Sequence, residues 1–304
     1  MKTKTITIKI ILIVSLILIL ASCGKKEETV PETRKILVYC DEAIYNLMLP
    51  CVLHYDSTGS VVKVEFRKTS AWDAMAKLLA RETDAIIIAR DYTRYEDSLM
   101  KAFNVYPHQR LTLARDALVF YVNKDSPLDT LTDEQIRNYL IDKNYSLKRI
   151  YKQLPSEPII AVNSPLSSEL VNLNKLVLKG NKIQRPLKIF QTHDSVKMFV
   201  KTNPTAIGIG YLSHLYAEPD LRALPVSFYD SSRKYIFPHN VNQPNILRKL
   251  YPYIVEHYIY ILDKLNDNTM TFARYLYNPG FPQKHFFDKG IIPANAEFRL
   301  VEEE

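Results

Sequence analysis

Seven polar side chains fall where expected strands end or the helices after them begin: Thr69, Ser70, Arg90, Asp91, Ser164, Ser167 and Ser168. In open α/β sheets those strand ends face the ligand crevice. The residue types suit a small oxyanion. A helix start offers unpaired N–H groups and a partial positive charge. Hydroxyls add donors, and one arginine can clamp an anion through two bonds. A carboxylate can accept the proton that a weak acid retains. Each residue also has a plainer use. Serine and threonine at helix starts commonly cap the helix itself. Arg90 and Asp91 can simply pair with one another. Asp41, at the end of another strand, reads first as a cap.

Other chemistry is poorly supplied. The chain has no CxxC, HExxH or GxSxG motif, so the commoner zinc and hydrolase signatures are missing. His54, His108, His193, His214, His239, His257 and His285 are scattered, none at ligand spacing with cysteines or carboxylates. No nucleophile–base pair stands out. The expectation is a binding protein with no cofactor and no metal, not an enzyme.

The elements that must position these residues follow an α/β pattern. Strands are expected at 35–40, 61–66, 85–89, 117–122, 159–162 and 206–211. Helices fall between them: one from Asp41 to about Tyr55, one over 71–81, one opening at Thr132, one from Ser167 or Ser168 to Leu178, and one capped by Asp194 or Ser195. Pro50 should kink the first or restart it. Ala85-Ile86-Ile87-Ile88-Ala89 is a continuous apolar run, the mark of a strand buried on both faces. Segments 253–265 and 270–277 read as amphipathic helices. Tyr39 and Trp72 read as core. Cys40 and Cys51 lie too far apart along a strand and a helix for a disulfide, so both are expected as free thiols.

The N-terminus carries an export signal. Lys2, Lys4 and Lys9 precede and flank an apolar run from Ile10 to Leu20, too short for a membrane span. Leu20-Ala21-Ser22-Cys23 resembles a lipobox, in which Cys23 is diacylated and becomes the first residue. Residues 1–22 are then a leader, and 23–35 a polar tether. Removing the three leader lysines lowers the formal charge from +7 to +4. That excess forms no dense basic run, which argues against nucleic acid as a partner.

Several segments together resemble the periplasmic phosphate-binding protein family of ABC importers, over about Ile36 to Ala294. The first is the run 117–127, ALVFYVNKDSP, followed by Leu131-Thr132 and Gln135-Ile136. The second is Asn203-Pro204-Thr205-Ala206-Ile207-Gly208. The third runs from Phe272-Ala273-Arg274 through Asn278-Pro279-Gly280 to Gly290-Ile291-Ile292-Pro293. Cys40-Asp41-Glu42 and Ala89-Arg90-Asp91-Tyr92-Thr93 look like a subgroup's first loops. The resemblance implies a two-lobed α/β periplasmic-binding-protein fold (type II), each lobe a mixed, mainly parallel sheet flanked by helices. The expected lobes are 36–115 with 212–304, and 116–211. It implies a monomer in the cell envelope that binds a small phosphate-like anion and works with an ABC permease.

The chain also departs from that family. Glu169 follows Ser167-Ser168 where the family has threonine, and no arginine is near. A carboxylate there can serve the helix dipole itself and repel phosphate. The first loop lacks the family's hydroxyl pair. The alternative function is therefore a ligand-sensing or surface-binding module, without transport, whose cleft has diverged.

Overall fold

The computed structural model describes residues 34–105, 109–262 and 266–295. The expected leader, Cys23 and most of the tether lie outside them. The chain enters the fold on β1 (Arg34–Asp41), whose inner residues Val38 and Cys40 are fully buried. Helix α1 (Glu42–Ser57) follows at once, because the Asp41 carboxylate accepts from the Ala43 N–H and caps it. The helix runs on through Pro50 rather than restarting there. Next come β2 (Val62–Thr69), α2 (Ala71–Leu79) and β3 (Ala85–Ile88). Helix α3 (Arg94–Ala102) opens with a capping box of Thr93 and Glu96.

The middle of the chain is β4 (Gln109–Asn123), β5 (Leu131–Thr132), α4 (Asp133–Ile141) and the short α5 (Leu147–Ile150). Thr132 and Gln135 form the capping box of α4. Strand β6 (Ile159–Val162) leads to α6 (Ser168–Asn172), which continues as a π-helix over Leu173–Leu178. Lys179 ends that helix in the left-handed region, φ 52°. Then come β7 (Leu187–Ile189), α7 (His193–Thr202) and β8 (Ala206–Tyr211). Thr192, not Asp194 or Ser195, caps α7. The last stretch holds β9 (Leu221–Ala223), β10 (Val226–Tyr229), β11 (Tyr235–Ile236), α8 (Gln243–Leu247), β12 (Ile254–Ile261), α9 (Asp267–Tyr277), α10 (Phe281–Asp288) and β13 (Ile292–Pro293).

Among the described residues the main sheet has the order β2-β1-β3-β12-β4-β8-β6-β7, with β13 and β9 also on β4. Pairing is mixed: β1 with β3 and β6 with both β7 and β8 are parallel, while β12 runs antiparallel to β3 and β4. Strand β4 joins the two sets of strands. Its residues up to Ala117 pair with β12, and from Leu118 they pair with β8. The changeover lies beside the expected lobe boundary at 115/116. Strand β9 pairs with the far half of β4, and β10 with β5. Segment 221–236 thus rests on residues assigned to the second expected lobe, although its position in the chain suggested the first.

Two expectations need correction. Segment 253–265 was expected as a helix, but its described part holds β12. Strand β12 lies between two neighbours and buries Val255, His257, Tyr258, Ile259, Tyr260 and Ile261. A strand buried on both faces loses the alternation that would betray it. Its β-branched and aromatic content favours the strand. Trp72 is not core: it is 43% exposed. The inward face of α2 is Ala71, Ala74, Met75 and Leu78, and Trp72 lies about 100° around the helix from Ala71. Tyr39 is buried, as are Cys40 and Cys51, both free thiols.

Candidate ligand site

The ends of β1, β3 and β8 and the start of α6 meet in one buried polar cluster. Asp41 ends β1 with no solvent exposure. One carboxylate oxygen accepts from the Ala43 N–H at 3.1 Å, the other from the Ala89 N–H at 3.3 Å. Burial raises its pKa, against the pull of a Ser168 hydrogen bond and those two N–H groups. Ser168, fully buried, accepts from the Tyr211 hydroxyl at 2.8 Å. That hydroxyl also lies 3.2 Å from the Ala89 carbonyl. Asn172, one helical turn beyond Ser168, donates to the same carbonyl at 2.8 Å and to the Tyr211 oxygen at 2.9 Å. The β3 end and the α6 start are therefore stitched together through Ala89, Tyr211, Ser168 and Asn172. A longer bond of 3.3 Å runs from Asn163, after β6, to Glu42 at the start of α1.

Two buried atoms in this region, Asn163 Oδ1 and Arg90 Nε, have no protein partner, and the Ser167 hydroxyl and the Glu169 carboxylate have only a loose contact with each other. Ser167 is the N-cap residue of α6 but makes no side-chain capping bond. Glu169 is 1% exposed, and burial first, then the nearby Asp41 carboxylate, pushes its pKa up to about 8. The carboxylate flagged as a departure is buried close to Asp41.

The other expected residues are placed differently. Arg90 is 1% exposed and spends its two terminal nitrogens on Glu96, at 2.8 and 2.7 Å. It does not pair with the Asp91 side chain, although it donates to the Asp91 carbonyl at 3.0 Å. Asp91 instead takes Arg110 at 2.6 Å and the Tyr260 hydroxyl at 3.1 Å. Ser70 caps α2 and bonds Asp73 through both its lone pair and its proton. Thr69 ends β2 and is half-buried. Ser164 is half-buried and accepts from the Leu166 N–H at 3.3 Å. Ser167 and Ser168 sit at the α6 end of the cluster and Arg90 directly follows Ala89 in its wall. Ser70, Asp91 and Ser164 make their bonds elsewhere.

Sequence reasoning missed Asn172, Tyr211, Asn163 and Glu42. Asn172 had a signal, since it lies four residues after Ser168 and so on the same helix face. Tyr211 had one too, at the C-terminal end of a parallel strand. Beside the cluster, a groove of about 750 Å³ opens between the loop Asp91–Arg94 and the segment Leu170–Gly180, with Asn172 in its wall.

A family model described as a PBP superfamily domain matches residues 26–279. No curated protein matches the chain in sequence. Among solved structures it is similar to a protein from Clostridium perfringens assigned as a phosphate ABC transporter substrate-binding protein, with bound phosphate. The identity is 15%, over 86% of this chain and 100% of that one, with a TM-score of 0.71. It is also similar to an ABC-type phosphate transport receptor from Vibrio cholerae, at 16% identity over 84% and 99%, with a TM-score of 0.66. A third similarity is to the regulatory domain of CcmR from Synechocystis, in complex with 2-PG, at 12% identity over 80% and 95%, with a TM-score of 0.54. At these identities the likeness is one of fold.

Proposed function

Because the chain belongs to the PBP superfamily and has the two-lobed α/β fold of its periplasmic binding proteins, we propose that it is a lipid-anchored solute-binding protein for a small oxyanion, phosphate or a close analogue, in ABC-type uptake. Lipid on Cys23 would hold it to a membrane of the cell envelope. The lobes would be 36–115 with 212–304, and 116–211, with segment 221–236 resting on the second. The cleft would draw on Thr69, Ser70, Arg90, Asp91, Ser164, Ser167 and Ser168. Two buried donors carry the reading: Arg90 Nε, which has no protein acceptor, and the Ser167 hydroxyl at the start of α6, whose neighbouring acceptor is the Glu169 carboxylate. Buried donors are rarely left unpaired, and an oxyanion brings acceptors to both.

The second reading is a sensing or surface-binding module whose cleft no longer takes phosphate. Glu169 favours it. Its buried carboxyl has no cation beside it, and once ionised, toward and above its raised pKa of about 8, it opposes a second anion.

Calorimetric titration of phosphate and of sulfate into the mature chain tests both. On the first reading phosphate binds, and Ser167→Ala weakens it by about one hydrogen bond to a charged group, roughly 1.5–3 kcal/mol. Binding that appears only in Glu169→Thr supports the second. No binding of either anion to any variant rejects the oxyanion cleft. Cys23→Ala should abolish labelling by palmitate, and a mutant labelled like the wild type would refute the anchor.

A further inference from the structure

Strands β10 and β11 form an antiparallel hairpin, with Tyr229 opposite Tyr235. Its surface carries three exposed aromatic rings in a row. Tyr229 is 70% exposed and Phe237 69%, with Tyr235 between them. The ring centroids are 5.2 Å apart from Tyr229 to Tyr235 and 5.1 Å from Tyr235 to Phe237, both edge-to-face. The rings cover one another and leave their outer faces to solvent. The turn between the strands supplies charge. Asp230 is occupied within it, accepting from the Ser232 N–H and hydroxyl and from the Lys234 N–H. Arg233, held at φ 64°, and Lys234 are exposed beside it.

We propose that this hairpin docks on an anionic lipid surface. Tyrosine and phenylalanine settle at the headgroup level of a bilayer, where one side of the ring is apolar and the other wet. Lysine and arginine next to them are drawn to anionic headgroups. Three rings and two cations match that chemistry but fall far short of the roughly 20–30 residues a side of a stable protein interface. Reach is consistent as well. Eleven peptide links separate Cys23 from Arg34, where the described fold begins, and they can span at most about 40 Å. A domain tethered that closely meets the bilayer often, so a weak contact suffices. Reach alone uses the anchor proposed above. The hairpin's chemistry does not, and the test below uses a chain without lipid.

The test is co-sedimentation of the mature chain carrying Cys23→Ser with vesicles of phosphatidylcholine, with and without phosphatidylglycerol. The chain should sediment with the phosphatidylglycerol vesicles and be released by salt. The double variant Tyr229→Ser/Phe237→Ser should bind at least about tenfold more weakly, from the lost apolar burial. Lys234→Glu should erase the preference for anionic vesicles. Circular dichroism melts matching the wild type would exclude unfolding as the cause. A wild-type chain that ignores phosphatidylglycerol vesicles overturns the proposal, as does a double variant that sediments like the wild type. Self-association lost in the double variant, with no vesicle binding, overturns it in favour of a second copy of the chain.

Discussion

A buried carboxylate with no cation beside it lowers stability when it ionises, and Glu169 is in that position. Its pKa is about 8 in the fold, against 4.5 for the free side chain. Between those values the folded chain keeps a proton that the unfolded chain has released. This group's effect is therefore a loss of stability as pH rises from about 4.5 to about 8. Glu169→Gln removes the titrating group and keeps the shape. The variant's stability should fall less steeply in that window, by up to about 1.4 kcal/mol per pH unit. Urea unfolding of both chains at several pH values measures it, and identical slopes would contradict the burial. Arg90 poses the opposite case. Its guanidinium and the Glu96 carboxylate are both buried and bonded to each other. Glu96→Ala would strand the cation, costing about 3–5 kcal/mol in denaturant unfolding. A loss below about 1 kcal/mol would mean the pair is solvated. From strand ends and helix starts, sequence reasoning expected Arg90, Ser167 and Ser168 among the site residues, read Asp41 first as a cap, and met Glu169 only as a departure from the family pattern. It could not tell which partner would win Arg90. Asp91 is adjacent in sequence, but Glu96 reaches back from the first turn of α3 and neutralises the guanidinium where water cannot.

At the scale of the element, β8 shows why its glycines are there. Gly208 faces Tyr121 across the β4–β8 pairing. A Cβ at Gly208 would come within 2.3 Å of the Tyr121 ring, which occupies the space a side chain would need. Gly210 is less tight, with His214 Nδ1 at 3.0 Å and Tyr121 at 3.3 Å. Gly208→Ala should cost about 1–3 kcal/mol through overpacking, and Gly210→Ala less. Thermal melts rank the two, and the reverse order would count against this register. The same strands show how far the fold was legible. Continuous apolar runs and polar caps marked β3, β6 and β8 and the starts of α2 and α4. Helix α6 was expected to run to Leu178 and stop at Lys179-Gly180, and its π-helical continuation does so. The misreading of β12 has a physical cause. Its neighbours β3 and β4 bury it on both faces, and its pairing shifts between His257 and Tyr258, so neither periodicity survives in the residues.

At the scale of the whole molecule, several bonds hold the two sets of strands together. Strand β4 joins them covalently, and Asp116, on β4, accepts from the Ala117 N–H at 2.7 Å and from the Ser213 N–H just past β8 at 3.4 Å. Between the end of β3 and the β8–α6 side, the Tyr211 hydroxyl and Asn172 bind the Ala89 carbonyl. Tyr211→Phe removes the hydroxyl and leaves Ser168 and Asn172 each short of a partner. The unliganded chain should lose about 1–3 kcal/mol. Ligand acts on the same equilibrium by mass action. At a hundred times its dissociation constant it adds about 2.7 kcal/mol, which for a domain of this size raises the melting temperature by roughly 5–10 °C. On the oxyanion reading, phosphate should give that rise in the wild type. It should give a similar rise in Tyr211→Phe at the same phosphate concentration, from a lower starting temperature. Scanning calorimetry with and without phosphate separates the two effects. A lowered baseline with the rise intact makes Tyr211 a stitch between the strand sets. A normal baseline with the rise abolished makes it a ligand contact, and its bonds to Ala89 and Ser168 would then have no part in stability.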